Sequence, residues 1–261
     1  MELGVALPNG GAAPSPAPVL EAIDAAAELG FDSVWASEHV IVPADTPEDY
    51  RQSLDGLTCL TWAAARHERL LLGTSVLILP LHNPFLLARR AAAIQLFSGG
   101  RLRLGVGVGW NEAEFRLVGA DFGRRGRVAD EMLRLMRALW SQQPSFQGEI
   151  WSYEDVSFGP VPETPPEIWV GGGGARALRR ARELGDVWHP VSPEPEQVAR
   201  ALEEWPEGRV TCRMPVRGAV EEAGEKLSAV RDVGLSAATL WFSDLKAMEA
   251  FASDVAPDLR D

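Results

Sequence analysis

Three times along the chain, a helix-like segment ends at a glycine and runs straight into a short β-prone stretch. The first is Glu28-Leu29-Gly30-Phe31-Asp32-Ser33-Val34-Trp35 and the second Glu183-Leu184-Gly185-Asp186-Val187-Trp188. The third is Asp232-Val233-Gly234-Leu235, leading into Ala237-Ala238-Thr239-Leu240-Trp241. A glycine just past a helix end can take the left-handed conformation that satisfies the last helical carbonyls. The apolar run after it has the character of a parallel strand buried on both faces.

These joints set the parse of the remainder. Strands are predicted at 2–7, 33–37, 71–78, 102–107, 167–171, 186–188, 209–214 and 237–242. Helices are predicted near 17–29, 55–66, 84–97, 124–140, 174–184, 195–204, 219–233 and 244–254. Eight strand–helix units in 261 residues average about 33 residues each, the usual βαβ size. Alternation of this kind implies an α/β fold with a parallel sheet. Eight units favour a single (β/α)8 TIM barrel, with an open doubly wound sheet as the alternative.

Residues 141–166 break the rhythm. Ser141-Gln142-Gln143-Pro144 ends a helix, Phe146 to Phe158 suggests a hairpin, and Pro160, Pro162, Pro165 and Pro166 follow. We read an insertion after the fourth unit, within one domain spanning 1–261. With 46% hydrophobic and 24% charged residues the chain is no disordered polypeptide. Its net charge of −12 opposes the phosphate contacts of nucleic-acid binding. The start shows no secretory signal, and the apolar run Leu70 to Leu81 is too short to span a bilayer. Neither nucleic acid nor membrane is expected as a partner. Cys59 and Cys212, far apart, read as reduced thiols of a cytoplasmic protein.

In a parallel barrel, function gathers at the C-terminal strand ends. The second strand ends Ser37-Glu38-His39, an acid beside a base suited to proton transfer near neutral pH. Equally, Glu38 could serve only to orient His39. The third strand holds Thr74 and Ser75, whose hydroxyls need partners from a ligand or from backbone carbonyls.

The fourth strand runs Gly105-Val106-Gly107-Val108-Gly109-Trp110-Asn111, its alternate glycines leaving a face that something flat can approach. Asn111 with Glu114 resembles a helix N-cap and its capping partner. The fifth strand runs through Gly171-Gly172-Gly173-Gly174 into a helix opening at Ala175. Glycines there expose backbone N–H groups to an anion such as phosphate. His39, His67, His82 and His189 show no metal spacing, and no Gly-x-Ser-x-Gly elbow occurs. Trp35, Trp169, Trp188 and Trp241, all in strands, are expected in the core.

Together these segments resemble the luciferase-like monooxygenase superfamily, and most closely its branch of oxidoreductases that use coenzyme F420. The likeness rests on Gly30 to Trp35 with Glu38-His39, Leu72-Gly73-Thr74-Ser75-Val76, Asn83-Pro84, and Gly99-Gly100-Arg101-Leu102. It continues through Gly105 to Phe115, Arg125-Gly126-Arg127 with Glu131 and Leu139-Trp140, Pro166 to Gly174, and Gly185 to Pro190. Residues 195–261 match only in their strand–helix rhythm.

The resemblance implies a barrel holding the tricyclic ring of F420 at its C-terminal mouth. It places a non-proline cis peptide at Ser75–Val76 behind the ring and gives Glu38 a contact with the deazaflavin. It makes His39 the proton donor or acceptor. It sets Thr74, Ser75, Val76, Gly107, Gly109 and Asn111 around the ring and its chain. Gly172, Gly173, Gly174 and Ala175 then hold the phosphate.

Val108 stands where the FMN-using luciferases carry a phosphate-binding arginine, and the acid that the sugar-phosphate dehydrogenases of the F420 branch put near Trp110 counts as a departure that argues against that substrate class. The expected function is hydride exchange between F420 and a small organic substrate. The alternatives are a two-component FMN monooxygenase fed by a partner reductase, and a non-catalytic flavin-binding protein. The resemblance also implies a homodimer. An anionic cofactor tail on so acidic a chain calls for a local basic rim, and Arg124, Arg125, Arg127, Arg176, Arg179 and Arg180 are its candidates.

Overall fold

The computed structural model describes residues 1–260. Its centre is eight parallel strands: β1 (Glu2–Ala6), β2 (Ser33–Ala36), β3 (Leu71–Thr74), β4 (Leu102–Gly107), β5 (Glu167–Gly171), β6 (Val187–His189), β7 (Arg209–Val216) and β8 (Ala237–Phe242). Neighbours in sequence pair in order, β4 pairs with β5, and β8 returns to β1, so the sheet closes. The expected (β/α)8 barrel is what forms.

Ten helices surround it: α1 (Pro16–Glu28), α2 (Gly56–Arg66), α3 (Pro84–Phe97), α4 (Glu112–Val118), α5 (Arg125–Trp140), α6 (Ala175–Leu184), α7 (Pro195–Glu204), α8 (Val220–Asp232), α9 (Leu245–Asp254) and α10 (Ala256–Arg260). The short α4 and α10, and a small antiparallel pair of Gly10–Gly11 with Gln52–Ser53, lack the long periodic signal that reveals the others.

The helix–glycine–strand joints work in two ways. Gly30 and Gly234 take φ of +76° and +109°, the left-handed turn expected after a helix. Gly185 keeps a negative φ; a Cβ there would lie 2.8 Å from Val170 Cγ2, so its role is close packing. The aspartates of two joints tie strands together at the barrel floor. Asp32 accepts from the Leu3 N–H at 2.8 Å, and Asp186 accepts from the Ile168 N–H at 2.8 Å. Each new strand is thereby registered against an earlier one.

Trp35 fills the barrel interior. A Cβ on Gly4 would lie 2.5 Å from its indole nitrogen and one on Gly73 2.1 Å from its ring, so both neighbouring strands need glycine. Trp169 lies against it with ring centroids 4.6 Å apart, and both indoles are buried. Within 141–166, Ser145–Gln147 pairs antiparallel with Ser152–Glu154. Glu131 on α5 ties down the turn, accepting from the backbone N–H groups of Glu149, Ile150 and Trp151 at 2.9, 2.8 and 2.7 Å. Burial by itself would raise this carboxyl, but the three donors hold it below its ordinary pKa.

The third strand departs from expectation. Instead of running unbroken over 71–78 it stops at Thr74, and Leu77–Ile78 resumes pairing with β4. Between them the Ser75–Val76 peptide is cis. The bulge it makes is the foundation of the site.

Candidate active site

The C-terminal mouth of the barrel opens into a cleft of about 380 Å³, within the range of small-ligand pockets. Of the expected residues, Glu38, His39, Ser75, Val76, Gly107, Gly109 and Gly172 line it. Thr74, Asn111, Gly173, Gly174 and Ala175 do not.

The glycines of β4 serve a different purpose from the one expected. A Cβ on Gly105 would fall 1.7 Å from the Thr74 carbonyl oxygen, and one on Gly107 2.7 Å from Val76 Cγ2. On the other side, a Cβ on Gly171 would meet Val76 Cγ1 at 2.8 Å. What approaches this strand closely is the chain's own bulge. Val76 is wedged between two glycines and presents its apolar side chain to the cleft. Gly109, with φ +77°, turns the chain out of the strand against Ile78 and Phe115.

Thr74 resolves as the backbone alternative: its hydroxyl donates to the Gly105 carbonyl at 2.7 Å, in the core. Ser75 is paired differently, its Oγ lying 2.9 Å from His189 Nε2. His189 is fully enclosed; its Nδ1 meets Thr211 Oγ1 at 2.8 Å and its ring stacks on Trp35. Burial foremost, and the Arg213 charge second, push its pKa from 6.5 down to about 3. His189 is therefore a neutral structural pillar under the bulge.

Glu38 and His39 are adjacent in sequence yet do not bond to each other. Glu38 Oε2 accepts from the Ile78 N–H at 2.9 Å and from His82 Nε2 at 2.8 Å, clamping the exit of the bulge. His39 Nδ1 lies 2.9 Å from Glu114 Oε2. Asn111 caps α4, accepting from the N–H groups of Ala113 and Glu114. The Glu114 carboxylate does not complete a capping box. It is wholly buried and turns to His39 and to the Val40 N–H, the latter at 2.7 Å. An ionised carboxylate only accepts, so Nδ1 of His39 carries the proton. That leaves Nε2 without a partner among the described residues. Around His39, Tyr50 and Trp110 stand edge-on with centroids 5.5 and 5.7 Å away.

At the opposite side, Gly172 turns with φ +112° into α6. No side chain caps this helix at Gly174, and a Cβ on Gly173 or Gly174 would meet nothing within 4 Å. Packing therefore does not explain these two glycines. In the first turn of α6, Ala177 donates to the Gly174 carbonyl at 2.8 Å, while the Ala175 and Arg176 N–H groups have no partner among the described residues.

The basic rim is only partly present. Arg124 pairs with Glu149, Arg179 with Asp130 and Glu183, and Arg180 with Asp130, while Arg125 packs over Phe122. Arg127 and Arg176 are exposed and form no ion pair among the described residues. Several residues in the cleft escaped sequence reasoning, among them Tyr50, Val191, Arg213 and Trp241. Arg213, in β7, reaches in and donates to the Ser75 carbonyl at 2.7 Å, and Trp241, expected in the core, lines the cleft beside it. The alternation of β7 offered a hint: Arg213 sits between apolar Cys212 and Met214.

The C-terminal mouth of the barrel thus carries a cleft with a histidine–carboxylate pair at one side and an uncapped helix N-terminus at the other. Residues 1–213 match the luciferase-like monooxygenase family, and the chain belongs to it. The F420-dependent glucose-6-phosphate dehydrogenase of Kineococcus radiotolerans is 34% identical over 165 residues, 62% of this chain and 48% of the relative. The chain thus spans about half the length of that dehydrogenase. An uncharacterised protein of Mycobacterium tuberculosis is 31% identical over 200 residues, 71% of this chain and 68% of that protein.

Among solved structures, an F420-dependent secondary alcohol dehydrogenase in complex with an F420–acetone adduct superposes with a TM-score of 0.85. The match covers 100% of this chain and 99% of that one, at 17% identity. The oxygenating constituent of 3,6-diketocamphane monooxygenase from Pseudomonas putida, in complex with FMN, gives 0.77 over 99% of both chains at 15% identity. At these identities the likeness is one of fold alone.

Proposed function

We propose that this chain is an oxidoreductase that exchanges a hydride between coenzyme F420 and a small organic substrate. One observation carries the reading. An apolar floor at Val76, between Gly107 and Gly171, lies between His39 on one side and the uncapped start of α6 on the other. That arrangement suits a planar ring with a phosphate-bearing tail. The F420-dependent relative supports the deazaflavin over FMN.

In this reading the floor orients the ring, and the N–H groups from Gly173 to Arg176 hold the phosphate. Exposed Arg127 and Arg176 attract the anionic tail. When bound, F420 supplies or accepts the hydride. His39 handles the proton at Nε2, accepting it when neutral and returning it when charged, while Glu114 fixes the tautomer and steadies the imidazolium. Glu38 acts indirectly by fixing the bulge. Tyr50, Trp110 and Trp241 narrow the mouth and limit water.

The test is a fluorescence titration of F420 into the purified protein, with FMN in parallel. Saturable binding of F420, with FMN much weaker, is the expected result. No response to F420, together with oxygen uptake in the presence of reduced FMN, would overturn the proposal in favour of a monooxygenase.

A further inference from the structure

The charged groups around the cleft are paired, with one exception. Glu38 is engaged by His82 and the Ile78 N–H, Glu114 by His39 and the Val40 N–H, and Asp49 by Arg217 at 3.4 Å. His189 is neutral between two hydroxyls. Arg213 forms no ion pair among the described residues. Its guanidinium has one carbonyl, that of Ser75, and the face of Trp241 at 5.3 Å. Burial lowers its pKa, opposed by the nearby Tyr50 hydroxyl.

A guanidinium offers five N–H donors, and Nη1 alone is committed to Ser75. The Nε–Nη2 edge presents two parallel donors spaced for a carboxylate. Its position matters as much as its charge. The Val76 floor lies on the β3–β4–β5 side of the barrel, whereas Arg213 and Trp241 project from β7 and β8. Arg213 thus enters the same cleft from the β7–β8 side, beside Trp241, Val191 and Tyr50, and meets the Val76 floor at the Ser75 carbonyl.

We infer that the substrate is a carboxylate, seated on Arg213 with its apolar body between Trp241 and the Tyr50–Trp110 wall. The inference rests on the oxidoreductase reading for the word substrate, but the anion site itself does not require the cofactor. The other source of anionic oxygen at this point would be the cofactor ring, and the test separates the two.

Benzoate and benzyl alcohol are titrated into the cofactor-free protein and followed by tryptophan fluorescence, at low and high salt. Arg213→Gln and the charge-retaining Arg213→Lys are then tested for benzoate and for F420. Benzoate is expected to bind at least about tenfold more tightly than the alcohol and to weaken with salt. Arg213→Gln is expected to lose that preference while still binding F420, with Arg213→Lys in between. Equal binding of the two probes by the parent protein overturns the inference, whatever the variants do. So does a benzoate preference that survives in folded Arg213→Gln, or a variant that loses F420 but keeps benzoate. Failure of the parent to bind F420 while selecting benzoate would sink the cofactor assignment and leave the anion site standing.

Discussion

His39 and Glu114, 75 residues apart in sequence, meet at 2.9 Å across the edge of the cleft, the carboxylate completely buried and the imidazole nearly so. The pair decides which imidazole nitrogen faces the ligand. In Glu114→Gln, one amide atom can still accept from Val40, but an NH₂ group then faces Nδ1 and drives the ring to its other tautomer. We expect turnover to fall by roughly 10²–10⁴-fold with cofactor affinity little changed. Nitrogen chemical shifts of His39 should show the proton moving from Nδ1 to Nε2. Unchanged shifts would remove Glu114 from this role.

The two β4 glycines should differ in severity. Gly105→Ala sets a methyl against the Thr74 backbone, whereas Gly107→Ala presses on a Val76 methyl that can rotate. Gly107→Ala should cost about 1–3 kcal/mol, and Gly105→Ala clearly more. Denaturant melts of the two variants check the order.

At the start of α6, one substitution should move stability and binding in different directions. Gly174 has an extended N-cap conformation open to any residue, and Gly174→Asp supplies the missing cap. Helix stability should hold or rise by a few tenths of a kcal/mol. The new carboxylate occupies the N–H groups assigned to phosphate, so F420 affinity should drop at least about tenfold. A thermal melt beside a fluorescence titration reads both. Undiminished F420 binding would place the phosphate elsewhere.

His189 gives the fold an acid sensitivity of defined sign. The unfolded chain protonates this residue near pH 6.5, the folded chain only near pH 3. Its contribution to stability is complete above the higher value. It is lost as pH falls between the two, by up to about 1.4 kcal/mol per pH unit. His189→Gln should be less stable near neutrality but show a shallower loss across that window in urea melts. An unaltered slope would mean that the imidazole is not excluded from water.

Glu131→Gln should loosen the turn at 148–151, since one of its three backbone donors then meets an NH₂ group. A cost of about 1–3 kcal/mol is expected, with hydrogen exchange quickening at Glu149, Ile150 and Trp151. Unchanged exchange there would deny Glu131 its role.

Much of the barrel was legible because its joints are local: Gly30, Asp32, Gly185 and Asp186 announce helix ends and strand starts within a few residues. Strand and helix limits accordingly fall close to expectation. The site was readable in types but not in pairings. Glu38 and His39 invited pairing with each other, yet a strand exit points adjacent side chains apart, and each found a partner from another unit. The β4 glycines implied close approach correctly, but nothing in one sequence says whether the visitor is a ligand or Val76. Arg213 went unnoticed because one polar residue in a strand is an ordinary sight until the closed barrel turns it inward.

Trp35, with Trp169 against it, fills the barrel beneath the cleft. The chamber is consequently a cul-de-sac: whatever enters must leave by the same door. On the proposed function, cofactor and substrate would both pass through that one opening, a constraint set by an indole that touches no chemistry.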